Sequence, residues 1–268
     1  MLHAAGDDAR SFLHAQLTND VAKLAPGQAR YAGWCSAKGR LLATFLVVPF
    51  AGGFLLQLAR DLAPGVAKRL SMFVLRSKVK IADVSGEWEQ YGIWGPDPGE
   101  RLAVRENDGS IAVGIEADRF LVFVARSSSS RLAPNAPAED WSLAEIRAGR
   151  PLVTQATQDL FVPQMVNLEL AGGVDFHKGC YPGQEVVARA QYRGAVKRRM
   201  YRLGGGVLQP GQDLYSDASP GQPSGTVVNA AGDEALAVLQ TSVVEDQAPI
   251  RAQAQAGLLE ILPLPYSQ

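Results

Sequence analysis

The sequence predicts an α+β protein, with antiparallel sheets covered by helices and a small closed or sandwiched β unit at the end. Three observations carry this. Residues 7–84 read as helix, three strands, helix, strand, the order of a split α+β layer. Residues 87–147 give a second unit of the same kind, strands first and a helix last. After Gly194 short apolar runs alternate with turn signals at Gly204-Gly205-Gly206, Pro210-Gly211, Ser219-Pro220-Gly221-Gln222-Pro223 and Gly232-Asp233, a spacing that suits strands. The expected division is 1–84, 85–196 and 197–268.

The first helix spans Asp7 to Leu17, where Ala9, Phe12, Leu13 and Leu17 fall at helical spacing, and Thr18-Asn19-Asp20 ends it. Pro26-Gly27 is a turn, Ala29 to Cys35 a strand, and Lys38-Gly39 leads into Leu41 to Val48, apolar on both faces. Gly52-Gly53 turns the chain into Phe54 to Leu58. Pro64 opens a helix through Phe73 and Leu75, and Lys78 to Val84 alternates as a strand does. Glu87 to Trp94 is a strand with Trp88 and Trp94 on one side, and Gly95-Pro96-Asp97-Pro98-Gly99 is a loop. Ser110 to Ile115 and Arg119 to Val124 form a hairpin. Ser127 to Ser130 and Pro134 to Pro137 read either as a linker or as a long surface loop. Trp141 to Arg147 is a helix stopped by Gly149 and Pro151, Phe161 to Leu168 is extended, and Leu258 to Leu262 is the last strand.

A chain of 268 residues, 47% hydrophobic and 20% charged, has room for more than one core. Its net charge of −1 gives no overall pull toward nucleic acid or an anionic membrane. Leu41 to Leu58 is broken by Pro49 and Gly52-Gly53, so two strands suit it better than a spanning helix. No signal peptide opens the sequence. Cys35 and Cys180, far apart and in no C-x-x-C pair, point to a reducing, cytoplasmic setting.

The chain is organised around Phe176-His177-Lys178-Gly179-Cys180-Tyr181-Pro182-Gly183-Gln184-Glu185. Residues 184–190 form helix readily, which places Cys180 in a tight turn before a helix N-terminus. Unpaired N–H groups, the helix dipole and Lys178 would there favour thiolate over thiol. The plainer reading is a small buried cysteine with Lys178 in water.

Arg189, Arg193, Lys197, Arg198, Arg199 and Arg202 put six positive charges into fourteen residues. They either grip phosphate, as in a tRNA-binding module with Tyr192 and Tyr201, or form a solvated face. Cys35, Cys180, His3, His14 and His177 make no ligand pairs, so no metal site within the chain is expected. Cys180 remains a candidate ligand of a cluster shared with another molecule. No glycine-rich nucleotide motif and no Gly-x-Ser-x-Gly occurs. Trp141 is either ordinary core or a cleft wall that stacks on a flat heteroaromatic ligand.

Lys178-Gly179-Cys180-Tyr181-Pro182-Gly183-Gln184-Glu185 resembles the K-G-C-[aromatic]-x-G-Q-E signature of the folate-binding YgfZ family, relatives of the glycine cleavage aminomethyltransferase (T-protein). Gln16 to Val21, Ala37-Lys38-Gly39-Arg40, Ile146 to Pro151, Phe161 to Gln164 with Asn167-Leu168, and Leu262 to Tyr266 also resemble family segments. The resemblance covers nearly the whole chain. It implies two ferredoxin-like α+β domains and a C-terminal β-barrel around a central opening. It implies tetrahydrofolate or a derivative in that opening beside Trp141, and a role in making or repairing iron–sulfur enzymes, including one that thiolates tRNA. The expected partners are thus folate and iron–sulfur client proteins. Two departures stand out. No tryptophan precedes Trp34, where the family has one near the N-terminus. Leu42-Ala43-Thr44 occupies the stretch where the aminomethyltransferases carry a catalytic aspartate. An accessory protein is therefore expected, with a folate-dependent aminomethyl or one-carbon transferase as the alternative.

Overall fold

The computed structural model describes residues 1–96, 100–129, 132–192, 196–218, 221–253 and 256–267. The first sheet takes its strands from residues 2–83: β1 (Leu2–Ala5), β2 (Arg30–Cys35), β3 (Leu41–Phe50), β4 (Gly53–Gln57) and β5 (Lys80–Asp83), in the order β2-β3-β4-β1-β5. Each neighbouring pair is antiparallel. Helices α1 (Ala9–Gln16) and α2 (Ala63–Ser71) cover one face, burying Phe12 and Leu13 from α1 and Val66 and Leu70 from α2.

β3 is apolar on both sides because both sides are covered. Ala43, Phe45 and Val47 join the core under the helices, while Leu46 and Val48 join a second core on the opposite face. That second core comes from a four-stranded antiparallel sheet, β6 (Trp88–Trp94), β7 (Val104–Asn107), β8 (Ser110–Glu116) and β9 (Arg119–Ala125), in the order β6-β9-β8-β7. Ile111, Val113, Ile115, Leu121 and Phe123 alternate along β8 and β9 and pack there. Helix α3 (Ala138–Arg147) follows.

After α3 the chain crosses back over the first sheet, then forms α4 (Gln184–Tyr192). The last unit has β10 (Arg198–Gly204), β11 (Asp213–Ser216), β12 (Pro223–Ala231), β13 (Glu234–Gln240), the short helix α5 (Thr241–Glu245), β14 (Ile250–Arg251) and β15 (Glu260–Leu262). Its order is β14-β11-β12-β13-β10-β15, and a bridge between Ile250 and Leu259 brings the two ends together into a barrel-like sheet. Leu203, Leu214, Val227, Ala237 and Leu239 fill its interior, while Met200, Val228, Leu236 and Val238 join the core of the first sheet. The fold is mixed α and β with three sheets, as the sequence predicts.

Several local expectations need correction. The chain opens with β1, not a helix; four residues are too few for a periodicity to show, yet β1 pairs with both β4 and β5. β3 runs through Pro49 to Phe50, and the turn lies at Ala51-Gly52. The helix opened by Pro64 stops at Ser71, leaving Phe73 and Leu75 outside it and exposed. Phe161 to Leu168 is not extended: Pro163–Val166 is a 3-10 turn, closed by Asn167 at φ 54°. β7 and α5 were not foreseen.

Candidate functional site

Two places gather the residues the sequence singles out. The first is a cavity of about 910 Å³ walled by all three sheets. The first sheet contributes Tyr31, Thr44 and Gln57, the second contributes Gln90 and Trp94, α3 contributes Trp141 and Glu145, and the barrel contributes Asn229. Trp141 is half-buried and stands edge to face with Trp94, ring centres 5.5 Å apart. Gly92 makes this possible, since a Cβ there would fall inside the indole of Trp141. The Arg119 guanidinium lies 5.4 Å from the Trp141 ring centre.

Among the described lining residues the cavity has one carboxylate, Glu145, and one guanidinium, Arg150. They form a fork: Arg150 donates to both Glu145 oxygens at 2.8 and 2.7 Å, and Arg119 donates to Glu145 at 2.9 Å. Arg150 also bonds Glu116. Burial opposes the Arg150 charge, but the bonds to Glu145 and the neighbouring acids hold its pKa above the ordinary arginine value. Burial pushes the Tyr31 phenol up to about 12. Gly149, at φ 65°, lets the backbone turn next to Arg150, and its carbonyl accepts the Tyr266 hydroxyl at 2.8 Å. The Ile146 to Pro151 and Leu262 to Tyr266 segments therefore meet at this wall. Thr44, from the stretch without a carboxylate, accepts from the Val153 N–H at 3.1 Å.

The second place is the turn of Cys180. Three segments distant in sequence converge on it. Gly183 (φ 76°) packs on the Ala37 to Arg40 turn, where a Cβ would lie 2.6 Å from the Gly39 Cα; Gly39 itself has φ 71° and lies against Val186. Thr18 accepts the Gly33 N–H at 2.7 Å and donates to the Gly173 carbonyl at 2.6 Å. Asn19 donates to the Tyr31 and Gly172 carbonyls, both at 2.7 Å. The early Thr-Asn-Asp segment thus ties the turn leading into the motif to β2.

Lys178 does not point into water. It is buried, and its ammonium donates to the carbonyls of His14 and, at 2.7 Å, Leu17, closing the C-terminal end of α1. It also lies 4.9 Å from the Tyr181 ring centre. Burial draws its pKa down to about 8, against Asp20, Asp175 and Cys180, which pull the other way. Tyr181 is buried, and its pKa is raised by that burial. Gly179 sits against the His14 ring. Cys180 itself is exposed, four residues before α4. Glu185 pairs with Arg189 one turn on at 2.8 Å, and Gln184 opens the helix. Cys35 is buried, with its thiol pushed up to about 12 by burial. The structure does not bring Cys180 and Trp141 into one pocket: Cys180 is not among the described residues lining the cavity.

The basic cluster is partly internal. Arg199 bonds buried Glu169 and the Gln164 carbonyl, the latter at 3.0 Å, and Arg202 bonds Glu234 at 2.6 Å, where Arg147 also binds at 2.8 Å. Arg198 is half-buried, and Arg193 lies outside the described residues. Among the described residues no group of three His, Cys, Asp or Glu side chains is arranged to hold a metal ion. No described helix is long and apolar enough to cross a membrane. Trp94, Arg119 and Glu145 were missed in the sequence. The even spacing of Trp88 and Trp94 was the one available signal, and only Trp94 reaches the cavity.

Residues 2–123 match the family described as the GCVT N-terminal domain. The "tRNA-modifying protein YgfZ" of Klebsiella pneumoniae (strain 342) is 31% identical over 98% of this chain and 89% of its own length. The protein of that name from Vibrio atlanticus (strain LGP32) is 30% identical over 98% and 88%. The chain belongs to the YgfZ family. A solved structure, glycine cleavage system aminomethyltransferase T from Bartonella henselae, shares this chain's fold with a TM-score of 0.75. It covers 98% of this chain and 82% of its own, at 15% identity. The three-unit T-protein-like architecture implied by the YgfZ signature is thus the one this chain adopts.

Proposed function

We propose that this chain binds tetrahydrofolate or a derivative in the central cavity and acts as an accessory protein for assembly or repair of iron–sulfur enzymes, including those that modify tRNA. The observation that carries this is the cavity itself. Its volume lies within the range of small-molecule sites, and the Gly92 cradle holds the Trp141 indole at its wall. A pterin is flat and rich in donors and acceptors. Trp141 offers it a stacking surface, and Gln57, Gln90 and Asn135 offer amide groups. Glu145 is held by two arginines and the Leu42-Ala43-Thr44 stretch holds no carboxylate, so we assign the cavity to binding rather than to proton transfer in aminomethyl or one-carbon transfer. The tRNA-modifying role rests on the names of the two relatives. Cys180, exposed on a turn pinned from three sides, is the reactive or ligating group toward the iron–sulfur client, in a reducing cytoplasm that leaves both cysteines free.

Calorimetric titration with tetrahydrofolate tests the first half. Binding to the wild-type chain and a loss of about ten-fold or more in Trp141→Ala are expected, from the stacking contribution of one aromatic face. Equal affinity in both would remove the cavity assignment. Cys180→Ala should bind folate normally yet fail to restore a dependent tRNA-thiolating enzyme in cells lacking the wild-type chain. Full restoration would overturn the role of the thiol.

A further inference from the structure

A second concentration of positive charge lies outside the Arg189 to Arg202 cluster. It lies at the end of α2 and in the loop to β5, where residues 62–82 hold five cations, Lys68, Arg69, Arg76, Lys78 and Lys80, and no carboxylate. All five are exposed. Among the described residues, Lys78 meets exposed Asp7 at 3.6 Å, and Lys68, Arg76 and Lys80 have no acidic partner within 4 Å. Between these charges the loop lifts three large apolar side chains into solvent: Met72 is 63% exposed, Phe73 43% and Leu75 89%. Leu75 has φ 45°, a conformation disfavoured for a leucine and here held with its side chain outward. The apolar face of α2 is already used, since Ala63, Val66 and Leu70 are buried.

This patch adjoins the motif. Phe73 packs edge to face on Trp34 at 6.3 Å, and Arg69 lies 5.7 Å from the same ring. Trp34 precedes Cys35, and the turn that follows, Ser36 to Gly39, is the one on which Gly183 sits.

We propose that the Lys68 to Lys80 surface docks the iron–sulfur client protein, its Met72 and Leu75 entering an apolar groove whose rim is acidic. This rests on the accessory role proposed above and names the face that serves it. The two halves of the patch decide among partners. RNA would use the cations but leave Met72 and Leu75 in water, and the one ring available, Phe73, is engaged with Trp34. An anionic membrane would use both, but it is held by the length of an amphipathic helix face, and here three loop side chains are all that is offered. A second copy of this chain would set five cations against five. A protein groove with carboxylates at its edge matches an apolar centre with a charged rim.

The test uses the full chain, labelled away from the patch, and three probes: the purified tRNA-thiolating iron–sulfur enzyme of the same cell, bulk tRNA, and vesicles of phosphatidylglycerol and phosphatidylethanolamine. Met72→Ser/Leu75→Ser and Arg76→Glu/Lys80→Glu alter exposed side chains and leave the core intact. Each pair should weaken binding to the enzyme by about ten-fold or more, the size expected at an interface centre. The charge pair should also flatten the salt dependence. Tetrahydrofolate affinity should stay unchanged in both. Wild-type affinity for the enzyme in both variants would overturn the docking face and leave the accessory role standing. No binding of the enzyme by the wild-type chain would overturn both. Binding to tRNA or to vesicles that the apolar pair abolishes, with the enzyme unaffected, would overturn the protein partner and reassign the patch.

Discussion

The cavity wall and the cysteine turn handle charge in opposite ways. At the wall, Arg150 and Glu145 face the cavity and are locked to one another, with Arg119 and Glu116 completing the set. At the turn, a buried ammonium, Lys178, is held by backbone carbonyls of α1 and has no carboxylate in direct contact among the described residues, while the thiol beside it in sequence is exposed. The wall is built to stay neutral and rigid. The turn is built to fix a backbone and present one side chain. Charged residues near a site thus do not all serve its chemistry; here most of them hold it in place.

Three substitutions separate these roles, beginning with the largest effect. Arg150→Met removes the centre of the wall network and leaves Glu116 and part of Glu145 without their partner. Loss of about 3 kcal/mol of stability is expected in urea unfolding. A loss below about 1 kcal/mol would mean that water already shares those carboxylates. Gly183→Ala places a Cβ against the Gly39 backbone at a left-handed φ and should cost about 2 kcal/mol. It should also perturb reactivity of the Cys180 thiol toward an alkylating probe without touching folate affinity. If thiol reactivity is unchanged, the turn is not what positions Cys180.

Lys178→Met tests the smallest effect through pH. A lysine whose pKa falls to about 8 on folding, from 10.5, binds its proton more weakly in the folded chain than in the unfolded one. Its contribution is therefore greatest above pH 10.5 and is lost as pH falls through 8. The wild-type chain should gain stability relative to the variant as pH rises from about 8 to 10.5, where the folded lysine has shed the proton that the unfolded one still holds. Parallel stability curves would show that the ammonium is as well solvated by α1 as by water.

What the sequence displayed and what it concealed follow the range of the interactions involved. The doubly apolar run of β3 announced a strand covered on both faces, and the α4 start after Gly183 followed from local helix preference. The inward turn of Lys178 was hidden because its acceptors, His14 and Leu17, lie more than 160 residues away. Arg199 and Arg202 looked like a solvent-facing cluster because their partners, Glu169 and Glu234, lie about thirty residues off on other elements. The cavity was implied by the family resemblance, and the pattern of residues alone does not reveal it. No periodicity reveals that Trp94 and Trp141 meet, since the glycine that admits the second indole, Gly92, reads in sequence as an ordinary strand residue.

The cavity draws its wall from Tyr31 at one extreme and Ala230 at the other. A ribosome must therefore release some two hundred residues between the first and the last of these before the chamber exists. Until then the nascent chain offers an open trough. Any small molecule retained by the finished protein thus certifies that synthesis ran into the barrel as far as β12, and stabilises such a product over shorter truncated forms.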